Sequence, residues 1–143
     1  MKKLIVLILL IGISYAGYWY YTHRPQEPKT VAVEDIKAAM RQAYAEKKLL
    51  FVLYGRKTCG NCQALRGYID KGEVQLDLQK FVYADINADD RDTQEEFRYR
   101  FKAPGSVLPL VVIADSNAQQ LSTRSGYGSA EEFNKLIQGA FVR

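Results

Sequence analysis

Two cysteines two residues apart, Cys59-Gly60-Asn61-Cys62, stand between a strand-like run and a helix-like run. They are the only cysteines in the chain. Before them, Leu49-Leu50-Phe51-Val52-Leu53-Tyr54 is continuously apolar and of strand length, as suits a strand buried on both faces. After them, Gln63 to Lys71 reads as a helix. Both sulfurs therefore fall at a helix N-terminus, where unpaired backbone N–H groups and the helix dipole stabilise negative charge. The thiolate is the nucleophile of disulfide exchange, so this position favours the reactive form. The pair is also near enough in sequence to close on itself.

A lone C-x-x-C admits three readings: a redox pair, half of a zinc site, or a structural crosslink. Structural zinc takes four ligands. This chain offers two Cys and one His, and that His23 lies far off in a polar segment. A crosslink over so short a loop removes little chain entropy. Redox chemistry meets neither objection.

The N-terminus bears on the compartment. Lys2 and Lys3 precede an apolar stretch from Leu4 to Ile13, and Ser14-Tyr15-Ala16 then puts small residues at the −3 and −1 positions of a cleavage after Ala16. This is the layout of a signal peptide cleaved after Ala16. The apolar and aromatic run continues to Tyr21, so an uncleaved anchor with an aromatic belt at Tyr18-Trp19-Tyr20-Tyr21 is the other reading. Either way residues 1–23 form a signal peptide or membrane anchor, 24–31 a Pro-containing linker, and 32–143 a single domain. Both readings export that domain to a periplasmic or other extracytoplasmic space, where disulfides form and persist. The formal charge is +4, and two of those positive charges are Lys2 and Lys3. No basic run with interleaved aromatics occurs, so nucleic acid is not an expected partner.

The body alternates helical and strand patterns. Ile36, Met40, Ala43 and Tyr44 recur at helical spacing across Val33 to Lys47. Phe81 to Ile86 reads as a second strand, Thr93 to Phe101 as a helix, and Leu110 to Ala114 as a third strand. Asp115-Ser116-Asn117 supplies a turn, and Gln120 to Arg124 reads as a polar edge strand closing a hairpin. Ser129 and Glu132 form a capping box for the last helix, whose expected buried face is Phe133, Leu136, Ile137, Ala140 and Phe141.

The order α-β-α-β-α-β-β-α, with Cys59-Gly60-Asn61-Cys62 after the first strand and Pro109 at the start of the third, resembles the thioredoxin-like superfamily. The resemblance spans roughly Ala32 to Phe141. It implies an α/β fold with a central mixed sheet of about four to five strands flanked by helices. It implies a redox-active disulfide between Cys59 and Cys62, and a cis Leu108–Pro109 bond beside them whose backbone holds an extended substrate segment. Cys59 would be the attacking thiol and Cys62 the resolving one. The expected partners are protein thiols or disulfides, a redox partner that recycles the pair, and the membrane if the leader stays uncleaved. No metal or cofactor is implied.

The departures from the family pattern are specific. Thr58 stands where thioredoxins place Trp, and Asn61 replaces Pro between the cysteines. The buried acid of the active-site strand would fall at Leu53. These changes argue against a general cytosolic-type thioredoxin, and the spacing and short helix look more like exported thioredoxin-like proteins that open with lysine, an apolar stretch, a strand and Cys-x-x-Cys. Arg56 and Lys57 stand just upstream, either favouring the Cys59 thiolate or simply solvated. A redox-inactive binding module, or a copper-handling protein using the Cys pair as soft ligands, is the alternative. No Met or further His accompanies Cys59 to support copper. Asp85, Asn87, Asp89 and Glu96 match four positions of a calcium loop, but Asp90 replaces its essential Gly and a strand precedes it.

Overall fold

The computed structural model describes Tyr15, residues 31–102 and residues 105–142. The leader and linker expected over residues 1–31, with His23, lie outside them but for Tyr15 and Val31. No helix among the described residues is long and apolar enough to cross a membrane. The elements run α1 (Ile36–Glu46), β1 (Leu49–Gly55), α2 (Gly60–Asp70), β2 (Phe81–Asn87), α3 (Arg91–Arg100), β3 (Leu110–Ala114), β4 (Gln120–Ser125) and α4 (Ala130–Gly139). The expected order α-β-α-β-α-β-β-α is the observed one.

Four strands form one mixed sheet in the order β2-β1-β3-β4. β1 pairs parallel with β2 and antiparallel with β3, and β4 returns antiparallel to β3. The two central strands are the two continuous apolar runs, because helices cover both of their faces. Alternation sorts their side chains. Leu50, Val52 and Tyr54 face α1 and α3, where they meet Ile36, Ala39 and Phe97. Phe51 and Leu53 face α2 and α4, where they meet Leu65, Ile69 and Phe133. Full burial of each such Leu, Ile or Phe contributes about 1.5–3 kcal/mol.

Element boundaries show where local chemistry outweighs periodicity. The first helix begins at Ile36 rather than Val33, because Asp35 caps it by accepting from the Ala38 N–H at 2.6 Å. Val33 instead pairs with the edge of β2, its N–H donating to Tyr83 O at 2.8 Å. In α1, Ala39 is buried while Tyr44 is exposed. The third helix opens at Arg91, two residues earlier than expected, capped by Asp90 through the Thr93 N–H. The capping box at Ser129 and Glu132 is formed. Phe133, Ile137 and Ala140 are buried as expected, but Phe141 lies past the helix end and is exposed, its ring edge-on to Phe81. Asp115 Oδ1 accepts from the N–H groups of Asn117 and Gln119, closing the β3–β4 turn.

Candidate functional site

The cysteine pair sits where β1 runs out. α2 begins at Gly60, three residues earlier than the sequence pattern suggests, so Cys62 lies inside its first turn. Cys59 is the N-cap residue, in extended conformation, and its Sγ accepts from the Cys62 N–H at 3.3 Å. A sulfur in this place takes up one of the helix donors that have no backbone partner, and meets the positive end of the dipole. Cys59 and Cys62 are joined as a disulfide with Cα atoms 5.2 Å apart. Cys62 is fully buried, whereas Cys59 is half-buried. The two sulfurs are therefore unequal in access.

Gly55 explains the burial of Cys62. A Cβ on Gly55 would stand 2.7 Å from Cys62 Sγ and 3.2 Å from Leu53 Cδ2. The buried sulfur thus rests on bare backbone, beside the aliphatic side chain at the position where the resemblance led one to look for an acid. Leu53 is fully buried.

Pro109 reaches the same place from the other side. The β1–β3 register ends with Tyr54 opposite Leu110, which carries Pro109 alongside Gly55. The Leu108–Pro109 bond is cis, and Pro109 is buried. Its carbonyl accepts from the Gly126 N–H at 2.9 Å, tying this loop to the one after β4. Ser125 Oγ donates to Val107 O in the same tie. Val107 and Tyr127 remain well exposed on either side.

The charges near the pair are mostly engaged. Arg56 Nε meets Asp89 Oδ1 at 3.2 Å, and both side chains are about half exposed. Lys57 is exposed, and its carbonyl accepts from Gln63 Nε2 at 2.7 Å. Arg66, one turn beyond Cys62, forks onto Asp85: Nε donates to Oδ2 at 2.6 Å and Nη2 to Oδ1 at 2.8 Å. These hydrogen bonds, ahead of the opposing effect of burial, raise the Arg66 pKa further above its already high value. A shallow cleft of about 370 Å³ opens here, lined by Glu34, Lys57, Gln63, Arg66, Asp85 and Asn87. The calcium-like set is dispersed onto other partners: Asp85 to Arg66, Asp89 to Arg56, and Glu96 to Lys37 and Arg100. Among the described residues no three or more His, Cys, Asp or Glu side chains converge as a metal site would require.

Comparison with solved structures identifies this architecture. A proposed disulphide-isomerase of Bacteroides thetaiotaomicron superposes with a TM-score of 0.65 at 20% identity, covering 83% of this chain and 99% of that one. A mutant thioredoxin of Halobacterium salinarum gives 0.59 at 14% identity, covering 81% and 95%. The chain has the thioredoxin fold. A thioredoxin of Nicotiana alata gives 0.59 at 17% identity, covering 80% and 95%. Models of known protein families give no match to the chain, and neither do curated protein sequences. The thioredoxin fold thus carries a bonded C-x-x-C pair at the N-terminus of α2, as the motif and its flanks suggested.

Gly55 and Arg66 escaped the sequence reading, and Asp85 entered it only as part of the calcium-like set, not as the partner of Arg66. Asp85 did leave a signal. It shares the strand face of Phe81 and Tyr83, where alternation calls for an apolar residue, so a partner for its charge was to be expected.

Proposed function

We propose that this chain is an exported thiol-disulfide oxidoreductase acting on protein substrates through Cys59 and Cys62. The observation that carries the reading is the unequal pair: a half-buried Cys59 capping α2, bonded to a fully buried Cys62. In the reduced protein the Cys59 thiolate attacks one sulfur of a substrate disulfide. The substrate S–S bond breaks, and its departing thiolate takes up a proton. Cys62 then gives up its proton and attacks Cys59 Sγ, releasing the second substrate thiol. Two electrons pass to the substrate, and the protein is left with the Cys59–Cys62 bond. Run backwards, the same steps oxidise a substrate dithiol. A recycling partner resets the pair; a thioredoxin f2 of the same fold has been solved in complex with ferredoxin:thioredoxin reductase.

Leu108 and Pro109 are the proposed substrate-binding residues. β3 starts only at Leu110, so the chain at Leu108 is outside the ladder, and Val107 and Tyr127 offer apolar contacts beside it. An extended peptide laid here places its cysteine over Cys59. Export rests on Lys2-Lys3 and the apolar stretch that follows.

The test is division of labour. Cys59→Ser is expected to abolish insulin reduction, and Cys62→Ser to accumulate mixed disulfides through Cys59. Limiting alkylation of the reduced protein should label Cys59 first; preferential labelling of Cys62 reverses the assignment. A C-terminal reporter active only after export checks the topology, and an inactive reporter on a stable fusion removes the exported reading.

A further inference from the structure

Arg56, Lys57 and Thr58 form the short connection between Gly55 and Cys59, and two side chains of α2 hold its carbonyls. Gln63 Nε2 donates to Lys57 O at 2.7 Å, and Arg66 Nη1 to Arg56 O at 3.2 Å. Arg66 cannot swing freely, because its other two nitrogens, Nε and Nη2, are held on both oxygens of Asp85. The Arg66 and Asp85 side chains are only about one-fifth exposed, at 22% and 20%. Such a partly desolvated pair gains little net stability, since desolvation offsets much of its attraction. What a forked guanidinium does supply is direction. Asp85 lies opposite Leu53 in the β1–β2 register, so the brace runs from β2, through α2, to the connection that carries Cys59.

We propose that Arg66, held by Asp85, is a positioning residue for Cys59, fixing the Arg56–Thr58 connection so that the sulfur stays on the end of α2. The proposal rests on the reading of Cys59 as the nucleophile. Cys59 accepts the Cys62 N–H only while it keeps its capping conformation. With the connection freed, the thiolate loses that donor part of the time, and its pKa rises. The other charged groups around the connection are Arg56 with Asp89, Lys57, and Glu34 in the cleft.

The experiment uses the reduced full chain and follows alkylation of Cys59 against pH by peptide-resolved mass spectrometry, with insulin reduction and thermal melting in parallel. Asp85→Asn keeps the side-chain shape and Arg66→Gln leaves a shorter neutral amide; each loses the charged fork. Each should move the Cys59 profile to higher pH and slow alkylation near neutrality about three- to tenfold, the range for one lost hydrogen bond. The double variant should be no worse than either single one, because the two residues act as a unit. Gln63→Ala removes only the neighbouring brace from an exposed side chain, and should shift the profile in the same direction even if the other variants fold poorly. Unmoved profiles accompanied only by lower melting temperatures would overturn the proposal and leave the pair a structural one. A wild-type chain that alkylates at Cys59 but reduces no disulfide would instead remove the oxidoreductase reading beneath it, and the proposal with it.

Discussion

Gly55 has no room for a side chain, and the reason is a sulfur. Its missing Cβ would lie 2.7 Å from Cys62 Sγ, well inside any contact distance. Gly55→Ala should therefore destabilise the oxidised protein by about 1–3 kcal/mol, as overpacking of a core does. It should also displace Cys62 and prolong the mixed disulfide. Urea unfolding together with single-turnover exchange checks both, and an unchanged variant would show the sulfur free to move aside. Tyr83 gives a prediction in pH. Burial first, and the nearby Asp85 second, hold its phenol well above the ordinary tyrosine range. For such a group the unfolded chain ionises before the folded one. Stability is then intact below about pH 10 and falls as pH rises from there toward the folded value. Tyr83→Phe should lose less stability over that alkaline interval than the wild type, read from urea midpoints of the oxidised protein. Equal losses in both would place the alkaline sensitivity elsewhere.

Caps decide where the helices begin. Ser129 Oγ accepts from the Glu132 N–H, and the Glu132 carboxylate accepts from the Ser129 N–H at 2.8 Å. Arg124 donates to the same carboxylate from β4, so the cap also joins an edge strand to α4. Ser129→Ala should cost about 1 kcal/mol, measured as a lower urea midpoint with unchanged slope. This capping box was legible because its two residues have a fixed spacing ahead of an apolar run. Asp35 and Asp90 cap through one side-chain oxygen without a returning carboxylate, and periodicity alone drew the helix start ahead of Asp35 and after Asp90. Val33 shows the reason. Its apolar side chain fits the helical repeat, but its backbone is claimed by the edge of β2, a pairing made with residues about fifty positions away in sequence. Periodicity reports which side chains are buried, and it is silent on which backbone groups they bring together.

At the scale of the molecule, the layered arrangement could be read from two runs, Leu49 to Tyr54 and Leu110 to Ala114. Strands that apolar on both faces need helices above and below them. The position of the cysteines between the first run and a helix followed directly. The Arg66–Asp85 brace did not, since a helix residue and a strand residue nineteen apart meet only once the sheet is assembled. The short span of the disulfide sets a limit on its part in holding the fold. Closing a loop of four residues contributes on the order of 2 kcal/mol in the chain-entropy account. The reduced protein should therefore unfold cooperatively, with a stability lower by no more than about that amount. Denaturation with and without reductant measures it, and loss of cooperative unfolding on reduction would make the bond a structural crosslink.

The difference in access between the two sulfurs has a consequence beyond exchange. If Cys62 keeps in the reduced protein the burial it has in the bonded pair, peroxide is expected to meet Cys59 first. The first product there is a sulfenic acid, which further peroxide converts irreversibly in two more steps. The disulfide shows that Cys62 can reach that sulfur, and its thiol would expel the hydroxyl as water to form the bond. On the proposed function, an oxidative injury at the surface would thus be turned into the bonded pair, which a thiol donor of sufficiently low potential can reduce.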